Sequence, residues 1–191
     1  MTTERKFAGF QNKGAPPFRM SEVPKDGFCL SSFVLLVNSQ GRVLMGKLNP
    51  DYAWDHIGAI DEERKRRHSA GWMLPSSHLM LNESPQAAAG RIISEQLGLE
   101  GIELGPPAVY SETYSSDRFA LAGHWDLEFV FTGRHEEKVS HNAWRELDYV
   151  DPNAPEGQFA RNHQDILKNA GLRRQMERTF SGAQSDAGEV R

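Results

Sequence analysis

The chain has 191 residues, 38% hydrophobic and 25% charged, with a formal net charge of -4. That length suits one domain with a real core, and the acidic balance argues against a broad basic surface for nucleic acid. No stretch approaches the roughly 18–20 apolar residues that cross a bilayer, and the single Cys29 leaves no partner for an intrachain disulfide.

Residues 1–27 are polar, punctuated by Pro16, Pro17 and Pro24, and read as an irregular arm without a signal-peptide-like apolar stretch. Phe28 to Val37 is rich in β-branched and aromatic residues and predicts a strand. Cys29, inside its apolar start, reads as a small buried hydrophobe. Ser39-Gln40-Gly41-Arg42 marks a turn into a second strand over Val43 to Leu48, giving a hairpin. Residues 49–71 interrupt the pattern as an insertion. Their charge cluster, Arg64-Lys65-Arg66-Arg67, reads as a solvated face of a loop or short helix rather than a phosphate site. Trp72-Met73-Leu74 predicts a short strand ended by Pro75, and Ser76 to Glu83 a polar loop.

A helix is expected next. Ser84 is a good N-cap, Pro85 sits where its missing N–H costs nothing, Ala88, Ile92, Ile93 and Leu97 supply apolar positions, and Gly98 stops it. Further strands are expected at Ile102 to Leu104, Ala108 to Tyr114, His124 to Thr132 and Glu146 to Val150. Gln158 to Ala170 reads as a second helix stopped by Gly171, and residues 173–191 as a polar tail. This order is not the regular alternation of a doubly wound sheet. It predicts a mixed β-sheet with helices on both faces over residues 28–172.

The stretch Trp72 to Leu99, WMLPSSHLMLNESPQAAAGRIISEQLGL, resembles the Nudix box. That pattern runs glycine, five residues, glutamate, seven residues, then Arg-Glu-aliphatic-any-Glu-Glu-any-Gly-aliphatic. Glu83, Arg91, Ile93, Glu95, Gly98 and Leu99 fall in register with it. The lead-in Trp72, Leu74, Pro75, Ser76, Ser77, His78 and the helix start Glu83-Ser84-Pro85 agree as well, and the similarity extends over roughly residues 28–170. The resemblance implies a Nudix-like α/β/α sandwich, a nucleoside-diphosphate-type small-molecule ligand and a Mg²⁺ or Mn²⁺ cofactor. It assigns catalysis to Glu95 with Arg91, substrate contacts to Ser76, Ser77 and His78, and metal ligation to Glu95, Glu83 and Gln96.

Three departures bear on that assignment. Ser77 replaces the first glycine, Ile92 the glutamate after the arginine, and Gln96 the second acid of the pair. In such enzymes three helix glutamates at i, i+3 and i+4 hold the cation against the diphosphate and activate water. Losing two charges beside a divalent ion weakens its binding by several kcal/mol. Glu112, Asp117, Asp126, Glu128, Glu136 and Glu137 are the acids that could compensate. Each box residue also has a plainer role. Glu95 can pair with Arg91 along the helix, Arg91 can brace the loop through Glu83, and Ile92 can pack.

Two functions therefore stay open: a metal-dependent hydrolase of a nucleoside diphosphate linked to another group, and a catalytically inactive Nudix-fold binding or regulatory module. A structural role with a homodimer surface is a third. Nucleic-acid and membrane partners are not expected, and the composition reads as cytoplasmic.

Overall fold

The run Phe28–Val37 is apolar on both faces, as a strand in the middle of a covered sheet must be, and it forms the central strand β2. The computed structural model describes residues 9–10, 28–114 and 124–174. Along one edge β2 pairs in parallel with β6 (His124–Arg134), from Phe28↔Trp125 to Val37↔Arg134. Its other edge meets β1 (Gly9–Phe10), then β4 (Ser76–His78), then β3 (Val43–Leu48). Outside these lie β5 (Ala108–Tyr114), antiparallel to β6, and β7 (Trp144–Val150), antiparallel to β3. The spatial order β5-β6-β2-β3-β7 is a mixed sheet, as expected.

Side-chain alternation divides the core. Phe33 and Leu35 of β2 and Val130 of β6 face Ile166 and Leu167 of helix α4 (His163–Asn169). Val34, Leu36 and Phe131 face Ala89, Ile92, Ile93 and Leu97 on the other side. These belong to helix α3 (Pro85–Ile92) and the π-helical turn Ile93–Leu97 that continues it. The layers are thus helix, sheet, helix.

The 49–71 insertion carries two short helices, α1 (Trp54–Ile57) and α2 (Glu62–His68). Trp54, Ile57 and Ile60 are buried with Leu48, Met73, Ala143, Trp144 and Ala160 in a third cluster, so the segment is packed rather than looped out. The basic cluster is not uniformly solvated. Lys65 turns inward, its ammonium donating to the Tyr52 carbonyl at 3.3 Å and pairing with Glu62.

Some boundaries differ from the expectation. Trp72 and Met73 make only isolated bridges, to Phe159 and Gly46. The strand forms instead at Ser76–His78, because those residues find a partner edge on β2. Ile102–Leu104 contributes a bridge at Leu104 alone. The second helix begins at His163, after a 3₁₀ turn at Glu156–Gln158 and left-handed Arg161 and Asn162. The N-terminal arm supplies β1, while most of the expected tail and Asp117 lie outside the described residues. No helix among the described residues is long and apolar enough to cross a membrane.

Candidate functional site

The box begins at β4 and continues through the loop to Glu83 into α3. Local chemistry fixes the helix start: the Ser84 hydroxyl accepts from Ala87 N at 3.1 Å, and Pro85 occupies the first turn. The Ser32 hydroxyl donates to Pro85 O at 3.1 Å and ties this end to β2. Gly98, left-handed at φ +66°, ends the π turn.

Glu83 and Arg91 hold the loop against the helix. Arg91 Nε donates to Glu83 Oε1 at 2.7 Å and Nη2 donates to Oε2 at 2.8 Å. Both side chains are over nine-tenths buried. Glu83 Oε2 also accepts from Met80 N at 2.7 Å. Arg91 spends its remaining donors on His78 O at 3.0 Å, Ser77 Oγ at 3.3 Å and Ile57 O at 3.5 Å. This fork is a brace, the role the sequence offered for Arg91 beside catalysis.

Gln96 is 0% exposed. Its Nε2 donates to Ser76 O at 2.8 Å and Ile57 O at 3.0 Å, and its Oε1 accepts from Ser76 N at 3.2 Å. The carboxamide therefore pairs with the Ser76 peptide as a neighbouring strand would. Its main-chain carbonyl accepts from the Trp144 indole at 2.7 Å, outside the helical ladder. Ile92 is also 0% exposed and lies in the core under α3. Glu95 sits half-buried on the flank of the π turn.

Ser76 and Ser77 are buried, and their polar groups serve the fold. Ser76 pairs with Gln96, while the Ser77 hydroxyl donates to His78 O at 3.1 Å. His78 O receives both Ser77 and Arg91. The structure thus brings Ser76, Ser77, His78, Glu83, Arg91 and Gln96 together, as the box pattern places them.

The set does not suit a divalent cation. Such an ion needs carboxylate and carbonyl oxygens aimed at one point. Ile92 offers none, both Glu83 oxygens are bonded to donors, and Gln96 presents N–H groups to the two carbonyls that a cation would share. Where the resemblance implied a metal ligand at Gln96, the carboxamide is instead bonded to the Ser76 backbone and Ile57 O. Among the described residues no three His, Cys, Asp or Glu side chains converge. The sheet register and hydrogen bonds place four of the candidate compensating acids. Glu128 shares its strand face with Val130, and Glu112 accepts from Asn169 Nδ2 at 2.9 Å, both on the α4 side of the sheet. Asp126 lies two residues before Glu128 on that same face. Glu136 accepts from Ser39 Oγ at 2.9 Å, at the hairpin turn.

Two histidines are shaped by their surroundings. Burial, with Arg161 and His68 nearby, holds His163 well below the ordinary imidazole value. Its Nδ1 accepts from Leu74 N at 2.8 Å, so the neutral ring is the bonded form. Burial, then Arg161, Arg67 and Arg64, lowers His68 to about 4.

Residue-by-residue reading missed Ile57 and Trp144. Ile57 acts through a backbone carbonyl, which no side-chain pattern announces. Trp144 stacks edge-on against Trp54, centroids 4.7 Å apart, and the Trp54 indole donates to Ala143 O at 3.0 Å.

No known family profile matches the chain, and no curated protein sequence matches it. Solved structures do. A MutT protein from Methanosarcina mazei Go1 superposes with a TM-score of 0.53 at 17% identity, covering 78% of this chain and 94% of that one. A mutT/nudix family protein from Listeria innocua gives 0.53 at 19% identity, over 78% and 94%. The NUDIX domain of Shewanella oneidensis NrtR, complexed with ADP ribose, gives 0.50 at 13% identity, over 75% and 86%. The chain has the Nudix fold.

Proposed function

We propose that this Nudix-fold chain is a binding module that holds a nucleoside-diphosphate-type ligand without metal-dependent hydrolysis. One observation carries the reading. The Gln96 carboxamide is buried and hydrogen-bonded to the Ser76 backbone and Ile57 O, where the box pattern has a metal-binding acid. Ile92 in the core supports it, because a second acid position has become packing. The ligand class rests on the fold and on the similar Shewanella domain, which holds ADP ribose. Fold alone does not fix function, so the ligand has to be tested at the site. The lone cysteine, buried at Cys29, accords with a reducing, cytoplasmic setting.

The test is a panel of nucleoside-diphosphate-linked compounds, ADP-ribose included, measured by thermal shift and by product release. Wild type and Glu95→Gln are compared with Mg²⁺, with Mn²⁺ and with EDTA. The expected result is stabilisation that survives EDTA, with no product. Metal-dependent turnover that disappears in Glu95→Gln would overturn this reading and restore the hydrolase.

A further inference from the structure

The carbonyls of Ser76 and Ile57 converge on one atom, Gln96 Nε2, at 2.8 and 3.0 Å. One belongs to the box strand and the other to the inserted segment. Two carbonyl oxygens aimed at one buried point require a donor or a cation there, since an unmatched buried acceptor is costly. An amide NH₂ meets the demand with two N–H groups and no charge. A carboxylate at the same place would set a third negative oxygen against the two carbonyls, and it would need a cation or a proton between them.

We propose that Gln96 makes the inserted segment a permanent, metal-free part of the box: its amide is the positioning group that fixes the Trp54–Ile57 turn where an acid would instead demand a cation. Two further contacts support the same attachment. Arg91 Nη1 reaches Ile57 O at 3.5 Å. Trp54 stacks on Trp144, whose indole donates to the Gln96 carbonyl. The Gln96 carbonyl lies in the last turn before left-handed Gly98, where helix carbonyls have no partner within the helix, and it accepts from the Trp144 indole of β7 instead. Gln96 thus joins three stretches distant in sequence: the insertion, β4 and β7.

The experiment follows amide hydrogen exchange in wild type, Q96E and Q96M, each with EDTA and with excess MnCl₂. The informative amides are Gly58 and Ile60, both bonded to Trp54 O within the segment. Ala170, bonded to Ile166 O in α4, is the control. In EDTA, Q96E and Q96M are expected to exchange faster at Gly58 and Ile60 by roughly tenfold or more, with Ala170 unchanged. Mn²⁺ is expected to restore protection in Q96E alone, with no effect on wild type or Q96M. A merely space-filling role for Gln96 would not produce that metal response. The proposal is overturned if Q96E keeps wild-type protection in EDTA, if Ala170 speeds up equally, if Mn²⁺ fails to restore Q96E, or if Mn²⁺ protects wild type in the same way. Should Q96E not fold, Q96M decides: a uniform change or none overturns the proposal. Failure of every nucleotide to bind would overturn the function proposed above and leave this result standing.

Discussion

Glu83 and Arg91 form a two-point ion pair in a site with almost no solvent, through Nε–Oε1 at 2.7 Å and Nη2–Oε2 at 2.8 Å. The pair joins the end of the box loop to the helix that follows, and the same guanidinium reaches His78 O and Ser77 Oγ. Removing one partner strands the other charge in a dry place. Glu83→Gln or Arg91→Leu should therefore cost about 3–5 kcal/mol in urea unfolding. Arg91→Lys should also lose much of this, because an ammonium cannot make the fork. A loss under about 1 kcal/mol would show that the brace does not hold the loop.

Reinstating the missing acid at position 92 should not reinstate a metal site. Ile92 is fully buried among Val34, Leu36, Ala89 and Phe131. Ile92→Glu puts a carboxyl into that layer without a partner and should destabilise by several kcal/mol. Circular-dichroism melts with and without Mn²⁺ check this. A stable Ile92→Glu protein that gains stability from Mn²⁺ would mean that position 92 can reach the solvent side of α3.

Acid should weaken the fold through two histidines. His163 is held neutral, its value well below 6.5, with its Nδ1 bonded to Leu74 N–H. A folded value below the unfolded one means that the unfolded chain takes up the proton first. The stability this histidine contributes is complete above pH 6.5 and declines as the pH falls below it, by about 1 kcal/mol per pH unit. His68 adds to the loss between 6.5 and about 4, screened by its partial exposure. Urea midpoints across this range should fall with pH, and His163→Phe should flatten the fall while lowering stability at neutral pH. A midpoint that stays level from pH 7 to 5 would rule the mechanism out.

Gly46 has no room for a side chain. A Cβ there would lie 2.1 Å from Trp144 Cε3. Trp144 cannot retreat without breaking its bond to the Gln96 carbonyl and its stacking on Trp54. Gly46→Ala should cost about 3 kcal/mol or more, read as a lowered thermal midpoint. An unchanged midpoint would show that Trp144 is free to move, and the link between β7 and the π turn would then count for little.

The regular elements were legible where local chemistry acts alone. Ser84, Pro85 and Gly98 cap α3 and its π turn as their residue types require, and the apolar β2 and the alternating β6 emerge close to their expected limits. The misplaced strand at Trp72–Leu74 shows the limit of such reading. A short apolar run extends only if an edge is available, and the edge of β2 meets Ser76–His78 instead. The second helix began later than expected because Arg161 and Asn162 take left-handed conformations that break it.

By itself the sequence determined the register of the box, the cap of its helix and the mixed α/β character, because spacing and residue type govern those directly. It also showed that two acids were absent. Only the tertiary structure decided what stands in their place. Ile92 turned inward because α3 packs on the sheet, and Gln96 found its partners in Ser76, on β4, and in Ile57, from an insertion that interrupts the strand pattern and carries no box residue. Hydrogen bonds to a distant backbone carbonyl leave no trace in residue order, since every residue carries the same carbonyl and only the fold selects which one is reached.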